Sequence, residues 1–302
     1  MQKLSVQVKN NTPLSALGLW NMGACDFHAP LSGREGKNII KKAYKTGIRA
    51  FDTAFSYSEA DSLLYSAMRE MGVKRDEYEI WSKVMPVPTL RKKVDASRRR
   101  LGSDFFDILM LHWPTREESL FSSLKILESL KNENIAKEIG VSNFPISLLS
   151  KVINDFPISH HERPLSLIWN KEWEEEKKLQ LKTIAYSPGG FGLLSGKYSL
   201  STPPKDERKN IKALYSPLFP CLLEKIKNLG DKYNTSPYSV ALSWVMAMNP
   251  WAIVRGVGKD KDLDVLTIKM EDDEINELSS IAIEISLSNC SDNIFSHNWM
   301  LQ

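Results

Sequence analysis

FDTAFSY at residues 51–57, IWSK at 80–83 and LMLHW at 109–113 each carry a short apolar run into a polar side chain: Asp52 and Tyr57, then Lys83, then His112. Successive strand-like stretches that each deliver a polar group at the C-terminal end fit a parallel (β/α)8 barrel, a TIM barrel, in which residues distant in sequence meet over one mouth. Working outward from these runs, β-branched or apolar stretches alternate with longer amphipathic ones from about residue 14 to residue 270, the sign of repeated strand–helix units. Strands are expected at 17–19, 48–51, 79–82, 106–111, 136–141, 165–168, 183–185 and 252–254, which makes eight, the number a closed barrel of this kind needs. Between them, Ile39, Ala43 and Tyr44, or Leu120, Leu124, Leu127 and Leu130, repeat at spacings of three and four, as a helix with one buried face requires.

The length of 302 residues suits one barrel domain spanning 1–302, and no shift of composition marks a second. Ahead of the barrel, Leu4 to Val8, Lys9-Asn10-Asn11, and Pro13 with Leu14 read as an N-terminal β-hairpin that would plug the floor. Past Glu271 an extra C-terminal helix is expected to end near Ser286, followed by a tail through Asn298 and Trp299. The Gly-, Pro- and Ser-rich passage from Ser187 to Pro220 is too long for an ordinary connector, so it is expected to be functional or mobile.

Composition narrows the function. Apolar residues at 42% and charged residues at 25% are globular proportions, and a net charge of +3, with both signs mixed along the chain, argues against a nucleic-acid surface. The cluster Arg98, Arg99 and Arg100 closes an expected helix, where cations complement the negative end of its dipole. Cys25, Cys221 and Cys290 are far apart and odd in number, so neither a disulfide framework nor a zinc knuckle is indicated, and a cytoplasmic location is expected. No apolar run reaches the ~20 residues that span a bilayer, so no membrane partner is expected. His160, His161 and Glu162 look like a metal cluster, yet neighbours on an extended segment point to opposite faces, so no metal is expected. The acidic run Glu172 to Glu176 reads as a solvated helix start.

The chain resembles the aldo-keto reductase family over almost its whole length. The runs that carry the resemblance occur in family order: LGLWNMG at 17–23, FDTAFSY at 51–57, WSKV at 81–84, LMLHWP at 109–114, IGVSNF at 139–144, YSPGGFGLLSGKY at 186–198 and RGVGK at 255–259. The resemblance implies a nicotinamide-dependent carbonyl reductase with Asp52, Tyr57, Lys83 and His112 as the catalytic tetrad. The chemistry needs these residue types. Hydride addition builds negative charge on oxygen, so an acid must stand beside that oxygen, and Tyr57 is the candidate. A free phenol titrates near about 10, too high for easy proton donation unless a cation such as Lys83 favours the phenolate. A carboxylate, Asp52, would keep that lysine charged in a half-buried mouth, and His112 would donate a hydrogen bond to the substrate oxygen.

For the cofactor, the resemblance implies that Ser142 and Asn143 hold a nicotinamide carboxamide and that Tyr186 stacks on the ring. Trp20 and Asp52 are expected among the cofactor-binding residues. Ser187, Gly189, Leu193, Ser195 and Lys197 would line the pyrophosphate, and Gly256, Gly258 and Lys259 the turn after the eighth strand. No GxGxxG follows the first strand, which argues against a Rossmann site. Where relatives carry Gln under the nicotinamide amide this chain has Glu162, after the catalytic Tyr it has Ser58 in place of Gly, and before the last turn it has Arg255 in place of Pro. NADPH is the expected cofactor, with NADH the alternative, and the expected partner is a small-molecule carbonyl substrate. Oligomeric state and natural substrate stay open. Trp20, Phe55 and Trp113 wall an aromatic substrate pocket or pack the rim, and both readings stand. Two other functions are compatible with the same motifs. One is a cofactor-binding regulatory or redox-sensing subunit similar to ion-channel beta subunits; the other is a sugar-modifying barrel enzyme without net redox change.

Overall fold

A computed structural model of the chain describes residues 13–23, 31–115, 117–257, 263 and 267–288. The first half runs β1 (Leu14–Gly18), α1 (Trp20–Gly23), α2 (Gly33–Lys45), β2 (Ala50–Asp52), α3 (Ala60–Glu70), β3 (Glu79–Val84), α4 (Leu90–Leu101), β4 (Phe106–Leu111) and α5 (Glu117–Asn132). The second half continues with β5 (Ala136–Ser142), α6 (Ile146–Asp155), β6 (His160–Pro164), α7 (Trp173–Lys177), β7 (Lys182–Tyr186), α8 (Phe219–Lys232), α9 (Pro237–Ala247), β8 (Ala252–Gly256) and α10 (Asp272–Ser288). The eight strands pair in chain order, all parallel, and β1 closes on β8, so the expected barrel is formed.

Side-chain volume explains how the barrel closes. Ala16, Ala50 and Ala252 put small groups on three strands, and the space they leave takes Trp81, which is wholly buried. Trp81 meets Trp251 at 5.3 Å between ring centroids, and Trp251 in turn meets the edge of His160 at 4.8 Å, which fills the floor. Outside the strands, alternate residues such as Leu17, Phe51, Ile80, Leu109 and Ile139 face the buried stripes of the helices. In α2, that stripe is Ile39, Ile40 and Ala43, and the helix starts on a reciprocal cap in which Ser32 Oγ accepts from Glu35 N–H while the Glu35 carboxylate accepts from Ser32 N–H.

The sixth strand departs from expectation. The apolar run at 165–168 is a turn closed by a bridge between Ser166 and Trp169, and the strand is the more polar HHERP immediately before it. Leu165, Leu167 and Ile168 are buried in the apolar layer under α8 and α9, so their hydrophobicity reports burial and not extension. His160 and Glu162 face the barrel interior. His161 faces outward, its Nδ1 2.7 Å from the Glu176 carboxylate. Glu176 is itself no solvated residue: it is buried within α7 and also accepts from Arg163 at 2.8 Å and Thr183 at 2.7 Å. The passage 187–220 holds three 3-10 turns, at Gly190–Ser195, Glu207–Asn210 and Lys212–Tyr215.

Leu14, read as part of the hairpin, opens β1; the rest of that hairpin and the C-terminal tail lie outside the described residues. The extra C-terminal helix is α10. Among the described residues no helix is long and apolar enough to cross a membrane.

Candidate active site

The C-terminal ends of the strands bring the four tetrad residues together. Asp52 ends β2, Lys83 lies near the end of β3, His112 follows β4, and Tyr57 sits in a 3-10 turn, Phe55–Tyr57, just beyond β2. Lys83 Nζ donates to Asp52 Oδ2 at 2.5 Å and to the Thr53 carbonyl at 3.1 Å, and Glu162 Oε2 stands 3.2 Å away from β6. The ammonium lies 5.5 Å from the centre of the Tyr57 ring, and the His112 ring meets Tyr57 edge to face at 5.8 Å.

Burial and charge set the protonation states. Burial works against the Lys83 charge, but the Asp52 carboxylate, joined by Glu162 and Tyr57 when those are ionised, outweighs it and holds the ammonium above the usual lysine range. Burial, assisted by the Lys83 charge, drives His112 well below the ordinary imidazole value, so it is neutral near neutrality. Burial and the neighbouring Asp52 charge push Glu162 up to about 8, with Lys83 opposing.

The turn that carries Tyr57 is braced from two sides. On one, the buried Asp61 accepts from Thr53 Oγ1 at 2.8 Å, Ser97 Oγ at 2.7 Å and Arg100 Nη2 at 2.8 Å. Arg100 also donates to the Phe55 carbonyl at 3.0 Å, so this member of the Arg98–Arg100 cluster is an internal strut and not simply a complement to the helix dipole. On the other side Gly23, at the end of α1, lies so close that a Cβ there would fall 1.4 Å from the Tyr57 carbonyl oxygen. Neither Asp61 nor the bracing role of Thr53, Arg100 and Gly23 was read from the sequence, although Thr53 lies within FDTAFSY, Gly23 ends LGLWNMG and Arg100 was noted only for the helix dipole. Ser58 holds φ 51° and ψ −103°, a backbone conformation natural to glycine.

Around the mouth, the Asn143 amide is a strut between strands. Its Nδ2 donates to the His112 carbonyl at 3.1 Å and to Ser142 Oγ at 2.9 Å, and its Oδ1 accepts from the Tyr186 hydroxyl at 2.6 Å. Tyr186 is thereby fixed at the end of β7 with part of its ring exposed. Ser187 follows it, Leu193 is buried beneath the 3-10 turn, Ser195 Oγ donates to the Gly192 carbonyl at 2.6 Å, and Lys197 is exposed. Gly189 and Gly190 are required by packing, since a Cβ would come within 2.5 Å of the Tyr238 ring or 2.7 Å of Ile168. Gly256 is different: among the described residues an added Cβ would meet only Asn21 Nδ2, at 4.0 Å. Gly258 and Lys259 lie outside the described residues.

Of the three candidate pocket aromatics, Trp20 meets Phe191 edge to face at 6.2 Å, and Trp113 is stacked on His112 at 6.4 Å. Phe55 carries the Arg100 guanidinium at 4.6 Å and the Lys93 ammonium at 5.5 Å.

An aldo-keto reductase of Strobilurus tenacellus is 23% identical, covering 94% of this chain and 92% of the relative. The methylglyoxal reductase DkgA of Escherichia coli is 24% identical over 92% of each chain. A glycerol dehydrogenase of Gluconobacter oxydans, 24% identical, superposes with a TM-score of 0.77 over 89% of this chain and 91% of its own, a likeness of fold. The Aldo/keto reductase family matches residues 16–283, and the chain belongs to that family.

Proposed function

We propose that the chain is a nicotinamide-dependent oxidoreductase that reduces an aldehyde or ketone to the alcohol, with Tyr57 as the general acid. The observation that carries this reading is the buried ammonium of Lys83, paired with Asp52 at 2.5 Å and 5.5 Å from the Tyr57 ring, with a neutral His112 at the edge of that ring.

A reduced nicotinamide supplies the hydride for this chemistry when bound, and Tyr186, Ser142, Asn143, Ser187 and Lys197 are the residues that would hold it. The donor set fits that group: an aromatic face fixed by its own hydroxyl, amide and hydroxyl groups beside it, and an exposed cation. As the carbonyl carbon takes hydride, Tyr57 gives its phenolic proton to the carbonyl oxygen. Lys83 makes that transfer favourable by stabilising the phenolate, and Asp52 keeps Lys83 charged. His112, being uncharged, keeps one ring N–H to donate to the substrate oxygen without competing for the proton. Trp20 and Trp113 give the mouth apolar walls.

NADPH is the favoured cofactor on the family resemblance, and a cytoplasmic location follows from the scattered cysteines. The test is loss of reduced-nicotinamide absorbance with a panel of carbonyls that includes methylglyoxal, sugars and aliphatic aldehydes. Tyr57→Phe is expected to lower turnover by at least ~10²-fold while cofactor affinity stays near the parent value. Parental turnover by the Phe variant would remove Tyr57 from the role.

A further inference from the structure

The cluster at the base of the mouth contains one more acid than its cation needs. Asp52, Lys83 and Glu162 are 3%, 1% and 2% exposed, so two carboxyls and one ammonium are enclosed in a medium that tolerates no uncompensated charge cheaply. No second cation among the described residues faces them. From β4 the cluster is faced by Met110 and, just beyond the strand, by neutral His112; from β5 by Ser142; from β7 by Ile184 and Tyr186; from β8 by Val254; and from the turn after β2 by Tyr57. His160, two residues before Glu162 on the same strand face, is held to about 4 by burial and Lys182 and is neutral. His161 and Arg163 face the other way, onto Glu176.

A neutral cluster therefore keeps one proton on a carboxyl, and the geometry chooses which one. Asp52 accepts a hydrogen bond of 2.5 Å from Lys83, whereas Glu162 Oε2 stands 3.2 Å from Nζ without a properly directed hydrogen bond. We propose that Glu162 is a positioning residue that works as an uncharged acid on the flank of Lys83, so that the ammonium's field falls on Tyr57, and that loss of its proton weakens Tyr57 as a donor. The inference rests on the carbonyl-reductase reading for its kinetic consequence, though not for the protonation itself. The upward displacement of Glu162 by burial and by Asp52 agrees with the charge count.

When Glu162 ionises, a second negative charge beside Lys83 offsets the stabilisation that the phenolate draws from it. Carbonyl reduction then falls on the alkaline side because of an acid that never touches the substrate. In the parent, kcat/KM for a reducible aldehyde is expected to fall as pH rises through about 8, by up to about tenfold per pH unit until it levels off at the lower rate of the ionised form. Glu162→Gln, a neutral side chain of the same shape, is expected to lose that limb over the same range whatever its absolute rate. An infrared titration of the parent reads the proton directly: the carboxylic C=O band is expected at neutral pH, to vanish as pH rises past about 8, and to be missing from Glu162→Gln.

A parent without a titrating carboxylic band overturns the proposal, and so does a Glu162→Gln enzyme whose alkaline limb is unchanged. If the protein reduced no carbonyl at all, the proposed activity would fail by itself, and the infrared titration would still decide whether Glu162 holds the proton.

Discussion

Replacing Gly23 by Ala tests whether the placement of Tyr57 depends on the α1 backbone. The new Cβ would fall 1.4 Å from the Tyr57 carbonyl oxygen, 2.5 Å from its carbonyl carbon and 3.1 Å from Ala60 N. Real Cβ atoms come no closer than about 3.0 Å to such neighbours, so either α1 or the turn holding Tyr57 must retreat by roughly 1.6 Å. Lys83 and His112 are held by β3 and β4 and do not follow. A displacement of about 1 Å in a reacting group costs on the order of 10²-fold, so kcat/KM for carbonyl reduction is expected to drop by at least ~10²-fold. Overpacking at one surface-proximal turn costs about 1–3 kcal/mol, which the barrel survives, so circular dichroism and cofactor binding report a folded protein. Gly33→Ala is the control, because its Cβ meets the Leu63 side chain at an ordinary 3.5 Å. The measurement is steady-state kcat and KM of both variants beside their urea unfolding curves. A folded Gly23→Ala protein with parental kcat/KM would refute the claim that this contact seats the acid.

Two further outcomes follow from buried charge. Arg100→Met leaves the Asp61 carboxylate, 0% exposed, with only Thr53 and Ser97 as donors, and is expected to cost about 3 kcal/mol in urea denaturation. The double variant with Asp61→Asn is expected to recover most of that loss; a cost below about 1 kcal/mol for Arg100→Met would make the pair an ordinary surface bridge. His160 carries a folded pKa depressed from 6.5 to about 4, so its contribution to stability is complete above pH 6.5 and lost as pH falls towards about 4. Comparing the parent with His160→Gln isolates this group from the other titrating residues. The parent's advantage is expected to shrink by about 3 kcal/mol between those two pH values, and an advantage that stays constant would show that His160 is not buried as a neutral ring.

Strands β3, β4, β5, β7 and β8 were legible because a strand buried on both faces writes itself as a short apolar run, a local property of the chain. The tetrad was legible because each member stands at or just past the end of such a run, where a parallel barrel opens its mouth. Strand β6 was not legible. Its Glu162 and His160 point inward, Glu162 towards Lys83 of β3, while His161 and Arg163 point outward to Glu176 of α7, so the reasons for its polarity lie on other elements. The apolar run after it took the strand reading because burial under α8 and α9 leaves the same mark as extension.

The residues by themselves determined an alternating strand–helix chain, its eightfold count and four chemically matched groups at strand ends. Tertiary structure alone decided that Glu162 shares Lys83 with Asp52, that Arg100 reaches the Tyr57 turn, and that Gly23 lies against the Tyr57 carbonyl. The physical reason is range. Hydrophobic period and backbone preference act over a few residues, whereas the compensation of a buried charge and the exclusion of a single methyl group depend on which distant strands the closed barrel makes neighbours.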